Sequence, residues 1–129
     1  MEKRKKKNPY PLLGKLSPST NEPKGVDKKS LQTSFVNHLE FSLAKDRYSV
    51  TQRDFLKCLV LTVRDRLIER WIETQQTYYE VDAKRIYYIS MEYMVGRMTG
   101  NTLINLNLYE NMNKALYELG LNIEDIEEL

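Results

Sequence analysis

The stretch KRIYYISMEYMVGR, residues 84–97, limits what this chain can fold into more than any other segment. Ile86, Tyr87, Tyr88, Ile89 and Met91 form a nearly unbroken apolar run. That is the pattern of a strand covered on both faces rather than one facing water, so residues 85–91 are read as a buried strand. A lone strand leaves its backbone donors and acceptors without partners, and no other segment reads convincingly as a strand. The expectation is therefore a mostly helical piece, long helices plus one buried strand, of something larger.

The helices follow from spacing. Leu31, Phe35, Leu39 and Leu43 recur every four residues, with Ser30 placed to cap the amide end. After KDRYSV breaks that run, Thr51 and Asp54 resemble a capping box with the shorter acid. They open a helix over residues 52–79 whose apolar stripe is Phe55, Leu59, Val63, Leu67, Trp71 and Tyr78, with Arg64, Arg66, Glu69 and Glu73 largely away from it. At about 1.5 Å per residue the helix spans roughly 42 Å, long for a small chain. Asp82 closes it in a turn. Residues 101–108 and 110–119 also read as helical, Gly120 as a C′ residue, and Asn122 as the cap of a last acidic helix, IEDIEEL. The chain stops there without a stop signal, so it reads as unfinished.

Composition separates two regions. Residues 1–29 hold nine Lys or Arg against three acids and all four prolines, while residues 30–129 carry eleven against fifteen. The first segment lacks periodicity and the apolar surface to offset its ordering entropy, and is read as a flexible basic tail. No stacking aromatics alternate with its lysines, so a solvated extension is favoured over a nucleic-acid binder. No apolar run is long enough for a membrane span or a signal segment, and the expected location is cytoplasmic. The single cysteine, Cys58, excludes an internal disulfide and a multi-cysteine metal cluster; it is read as a buried thiol on a helix, and no metal site is expected.

TVRDRLIERWIETQQTYYE, followed by KRIYYISMEYMVGR, NTLINLNL and LYELGLNIEDIEEL in that order and spacing, resembles the N-terminal region of the α-1,4-glucan phosphorylase family over roughly residues 35–129. The resemblance implies an α/β two-domain, glycosyltransferase-type fold, of which residues 30–129 would be an incomplete part of the N-terminal domain. It further implies release of glucose 1-phosphate from α-1,4-glucan ends by inorganic phosphate, in a homodimer. The implied cofactor is pyridoxal phosphate, held as a Schiff base on a lysine outside these residues. No catalytic or cofactor-binding residue is therefore expected within the chain.

The same resemblance implies two sites. Glu92, one residue past the apolar run, would line the sugar pocket through a hydrogen-bond network; the alternative is a structural carboxylate paired with a basic group such as Arg97. Ligands of open α/β sheets do collect at the carboxyl ends of strands. Gln75, Gln76 and Tyr79, with Asp46 reaching across from a partner subunit, match residues that contact AMP in regulated members. The alternative is a polar helix terminus at a dimer contact. Gly96 and Arg97 are read as shaping the next turn, and Tyr87 and Tyr88 as packed. Ser17 is followed by proline, which departs from the family's phosphorylated pattern. A non-catalytic dimerisation and nucleotide-sensing module is the second function class.

Overall fold

The computed structural model describes residues 25–91 and 96–128; residues 1–24 of the tail and Glu92 lie outside them, while Lys28 and Lys29, the last two residues assigned to the tail, belong to the first helix. Five α-helices follow in order: α1 (Lys28–Asn37), α2 (Gln52–Glu80), α3 (Thr99–Asn105), α4 (Tyr109–Glu118) and α5 (Ile123–Glu127).

Each terminus has a local cause. Asp27, not Ser30, caps α1, its carboxylate accepting from the Ser30 N–H at 3.1 Å; Ser30 itself is buried inside the helix. Thr51 and Asp54 form the capping box of α2 in both directions. At the end of α4 the Leu121 N–H bonds the Leu116 carbonyl and the Gly120 N–H that of Tyr117, with Gly120 at φ +78°. The left-handed C′ position of this Schellman arrangement favours glycine, which has no Cβ to strain there. Asn122 caps α5 by accepting from the Glu124 N–H at 3.0 Å.

Directly after α1 the chain widens into a π-helical turn, His38–Ser42, closed by the Leu43 N–H on the His38 carbonyl at 3.0 Å. A residue every four positions drifts by about 40° around an ideal α-helix, and the wider turn advances less per residue and offsets that drift. Leu39 and Leu43 are thereby kept against the same core as Leu31 and Phe35.

The core lies where α1, α4, α5 and the first half of α2 meet. Leu31, Phe35, Leu59, Leu103, Met112 and Leu116 are buried there, with Cys58 among them. Outside it, α1 and α4 are clamped by polar contacts: Gln32 donates to the Ala115 carbonyl and to Glu118, Lys28 pairs with Glu118, and Asn111 donates to the Val26 carbonyl.

Three further expectations need correction. First, the α2 stripe is not one face: Leu59 and Val63 are buried, but Leu67 and Tyr78 are exposed and Trp71 is 60% exposed. Four-residue steps from Phe55 to Trp71 rotate by about 160°, so one neighbour cannot cover them all. Second, Arg66 is 3% exposed, because it lies seven residues beyond Leu59 on the core side. Its guanidinium donates to the carbonyls of Thr62, Gly25 and Ser30 and to the hydroxyls of Ser30 and Ser34, the last at 2.9 Å. Burial lowers its pKa from the usual arginine value, and Asp65, Glu69 and Asp27 oppose that shift. Third, residues 85–91 form no strand among the described residues, and Tyr88 and Ile89 are each 90% exposed. Nothing described offers an edge to pair with, so the run that reads as interior lies in water, and Tyr87 and Tyr88 are not packed.

Candidate functional site

Helix α2 separates the expected site residues. Asp46 sits in the loop before it, while Gln75, Gln76 and Tyr79 lie near its far end, about 34 Å along the axis from Gln52 to Gln75. Within one chain, Asp46 does not meet the other three.

Asp46 organises its own loop. One carboxylate oxygen accepts from the Ser49 hydroxyl at 2.6 Å, the Ser49 N–H at 2.8 Å and the Tyr48 N–H at 3.1 Å. The Ser49 hydroxyl, then the Ser49 amide, hold its pKa below the usual carboxylate range. It is an ionised, exposed turn-former. Beside it Arg47 stacks on Tyr48, 4.7 Å from the ring centroid, and donates to its hydroxyl.

At the other end of α2, Asp82 adopts φ 49° and the Ala83 N–H bonds the Tyr78 carbonyl at 3.1 Å. An aspartate tolerates this left-handed conformation better than most residues. The reversal lays residues 83–87 back along the last turn of the helix. A cavity of about 340 Å³ results, lined by Gln75, Tyr78, Lys84 and Arg85 among others. The Arg85 guanidinium lies 5.0 Å from the Tyr79 ring centroid and 5.7 Å from that of Tyr78. Arg85 is the residue that sequence reasoning passed over here. The tyrosine doublet ending α2 and the basic pair opening the next segment were the available signal. Gln75 is half-buried at the cavity wall, and Gln76 is exposed.

Beyond residues 92–95, the expected turn-shaping pair divides. Arg97 donates to the main-chain carbonyls of Glu127 and Glu128, at 3.5 and 3.3 Å, capping the end of α5. Gly96 has no positive φ, and a Cβ there would meet nothing within 4 Å, so neither reason for a glycine applies among the described residues. Arg97 borders a cavity of about 520 Å³ together with Leu56, Gly100 and Glu127. Glu92 lies outside the described residues, and so does its pairing with Arg97.

A third polar cluster escaped the sequence reading. His38 bonds the Ser42 hydroxyl through Nδ1 and Asp65 through Nε2, both at 2.9 Å, tying the π-helical turn to α2. Asp65 is 27 positions from His38, so only packing joins them. The buried thiol reading of Cys58 matches its place in the core, where burial pushes it up to about 11, with Asp54 adding to the shift. Among the described residues no group of three or more His, Cys, Asp or Glu side chains is placed to hold a metal ion, and no helix is long and apolar enough to cross a membrane.

No family model matches the chain. It is similar to brain-form glycogen phosphorylase of Pongo abelii and of Homo sapiens, 50% identical in each case over 103 residues, which is 80% of this chain and 12% of the relative. With the muscle form of Ovis aries the identity is 50% over 99 residues, 77% of this chain and 12% of the relative. The chain thus spans about an eighth of the length of these curated relatives.

Proposed function

The chain is a homologue of the glycogen phosphorylases over four fifths of its residues, and from that premise we propose that it forms the opening part of an α-1,4-glucan phosphorylase. The complete protein would be a cytoplasmic homodimer that uses inorganic phosphate to release glucose 1-phosphate from the ends of glycogen, starch or maltodextrin. The supporting observation is 50% identity sustained over 103 residues.

Pyridoxal phosphate would supply the acid–base chemistry through its phosphate group. The described residues do not fit it: every described lysine is at least partly exposed, and a Schiff-base lysine needs a desolvated amine. In this reading the lysine that would hold the cofactor lies outside these 129 residues, as the resemblance implies, and the chain alone is inactive. Glu92 would line the sugar pocket and hydrogen-bond without transferring a proton, since a buried carboxylate is held by its partners and the reaction already has a proton shuttle.

The test is phosphorolysis by the complete gene product containing these residues. Glucose 1-phosphate should form from maltodextrin or glycogen, and Glu92→Gln should lower kcat/KM by about tenfold to a hundredfold, or roughly one to three kcal/mol, with the pH profile from about 5.5 to 8.5 retaining both limbs. No product from the complete protein would refute the reading, and a lost limb would make Glu92 a proton donor or acceptor.

The second reading, a dimerisation and nucleotide-sensing module, is favoured by the cavity at the end of α2. Gln75, which lines that cavity, would meet AMP with Gln76 and Tyr79, which do not line it, and Asp46 would come from the partner subunit. This role is compatible with the first and would regulate it.

A further inference from the structure

Hydroxyls inside helices commonly donate to the carbonyl four residues back, and Thr33, Thr62, Thr74 and Thr77 do so here, to Lys29, Cys58, Arg70 and Glu73. Ser42 differs. Its hydroxyl lies 2.9 Å from Nδ1 of His38 on the π-helical turn, while the His38 carbonyl takes the Leu43 N–H. Across the ring, Nε2 lies 2.9 Å from the Asp65 carboxylate of α2. An ionised carboxylate only accepts, so Nε2 carries the ring proton and the bare Nδ1 faces the Ser42 O–H. Hydroxyl, imidazole and carboxylate thus form one chain of hydrogen bonds, the arrangement that activates a serine as a nucleophile. It opens on a cavity of about 300 Å³ that Asn37 and Phe41 also line.

We propose that Ser42 is an acyl-acceptor site for small esters, with His38 as its base and Asp65 as the residue that orients the base, independently of the phosphorylase reading. Ser42 Oγ bonds to the ester carbonyl carbon as its proton passes to Nδ1. The ester C–O bond then breaks, and the alcohol departs with that proton. Water repeats the exchange on the acyl-serine, releasing the carboxylic acid and restoring the hydroxyl. Ser42 is exposed, so an ester in solution reaches it, whereas the His38 side chain is 17% exposed and is held from both sides. Asn37 carries the amide on the cavity wall and supplies an N–H group for the developing oxyanion, and the exposed Phe41 ring offers an apolar surface to the acyl or aryl group. A cavity at the small end of ligand-sized pockets restricts the site to short acyl chains.

The experiment treats the 129-residue chain with p-nitrophenyl acetate, and separately with a fluorophosphonate followed by peptide mass spectrometry. Wild type should release a burst of nitrophenol stoichiometric with the chain, and the fluorophosphonate should label Ser42. Ser42→Ala should abolish both. Ser42 is exposed and outside the core, so this variant should keep the wild-type circular dichroism, recorded as a control. His38→Gln should slow the burst about a hundredfold. Asp65→Asn should switch the His38 tautomer, read from the ring nitrogen shifts by NMR, and slow the burst about tenfold, and Asp65→Glu should restore both. No burst and no label in wild type would refute the site, as would a label on another residue or a burst that survives Ser42→Ala. A switched tautomer with an unchanged burst rate would show the Asp65 contact to be structural and overturn its role in the relay.

Discussion

Residues 52–66 of α2 lie against α1, the π-helical turn and α5, and bury Cys58, Leu59, Thr62, Val63 and Arg66. Residues 67–80 of the same helix, with the segment after it, present Leu67, Trp71, Tyr78, Ile86 and Ile89 to water. Both halves are comparably rich in apolar side chains; they differ in whether a neighbour covers the face each presents. Burial stabilises by about 25 cal/mol per Å² of apolar surface removed from water, so the same residue type is worth several kcal/mol in one half and little in the other. Polar groups follow the same division. Buried Arg66 has carbonyls and hydroxyls around its guanidinium, whereas exposed Arg85 covers two tyrosine rings.

The sharpest test of this contrast pairs one substitution from each half. Leu59→Ala, at a fully buried position, should destabilise the bundle by about 2–5 kcal/mol. Trp71→Ala should cost less than about 0.5 kcal/mol in this chain although it removes a larger side chain. Urea unfolding followed by helical circular dichroism measures both. Equal losses would mean that the far half of α2 is packed after all.

Next in size is Arg66→Ala, expected to cost about 2–3 kcal/mol because it strips a charged donor from the Ser30 and Gly25 carbonyls and leaves a cavity. Arg85→Gln in the other half should leave the urea midpoint unchanged. A neutral Arg66→Ala would show that its hydrogen bonds only offset the desolvation of the guanidinium.

Removing the α2 cap with Thr51→Ala should cost about 1 kcal/mol at neutral pH. Its pH dependence has a definite sign. The Thr51 hydroxyl, then the Thr51 amide, lower the Asp54 pKa below its ordinary 3.8, and Lys28, then Gln32, lower that of Glu118 below 4.5. Depressed carboxylates stabilise the fold above their unfolded values and lose that contribution as pH falls through the folded ones. Wild-type stability should therefore drop below about pH 4, while Thr51→Ala should lose less on the same descent. Parallel curves for the two proteins would show that Asp54 does not carry the effect.

The smallest expected effect on stability, but the clearest on behaviour, is Ile89→Lys. The midpoint should move by less than about 0.5 kcal/mol, whereas self-association seen by sedimentation should fall, since an exposed apolar segment invites association with another copy. A wild-type chain that is monodisperse at high concentration would contradict this.

Local signals in the sequence held wherever the interaction is itself local. Thr51 with Asp54, Asn122 and Gly120 each act on backbone groups within a few residues, so the start of α2, the start of α5 and the end of α4 were legible. The four-residue repeat of Leu31, Phe35, Leu39 and Leu43 marked a core face correctly, though not the π-helical turn that keeps it in line. Of the candidate site, the resemblance pointed to Gln75, Gln76 and Tyr79, while Arg85, whose approach to the Tyr79 ring depends on the turn at Asp82, was passed over. Arg66 was placed outside because charge alone argues for exposure, and its burial rests on acceptors from α1 that lie 32 and 36 positions away. Apolar character likewise says what residues 85–91 would bury if covered, but not whether a cover is present. Patterning determined which faces avoid water; only the tertiary structure decided which of them have a neighbour, because that depends on contacts between residues far apart in the chain.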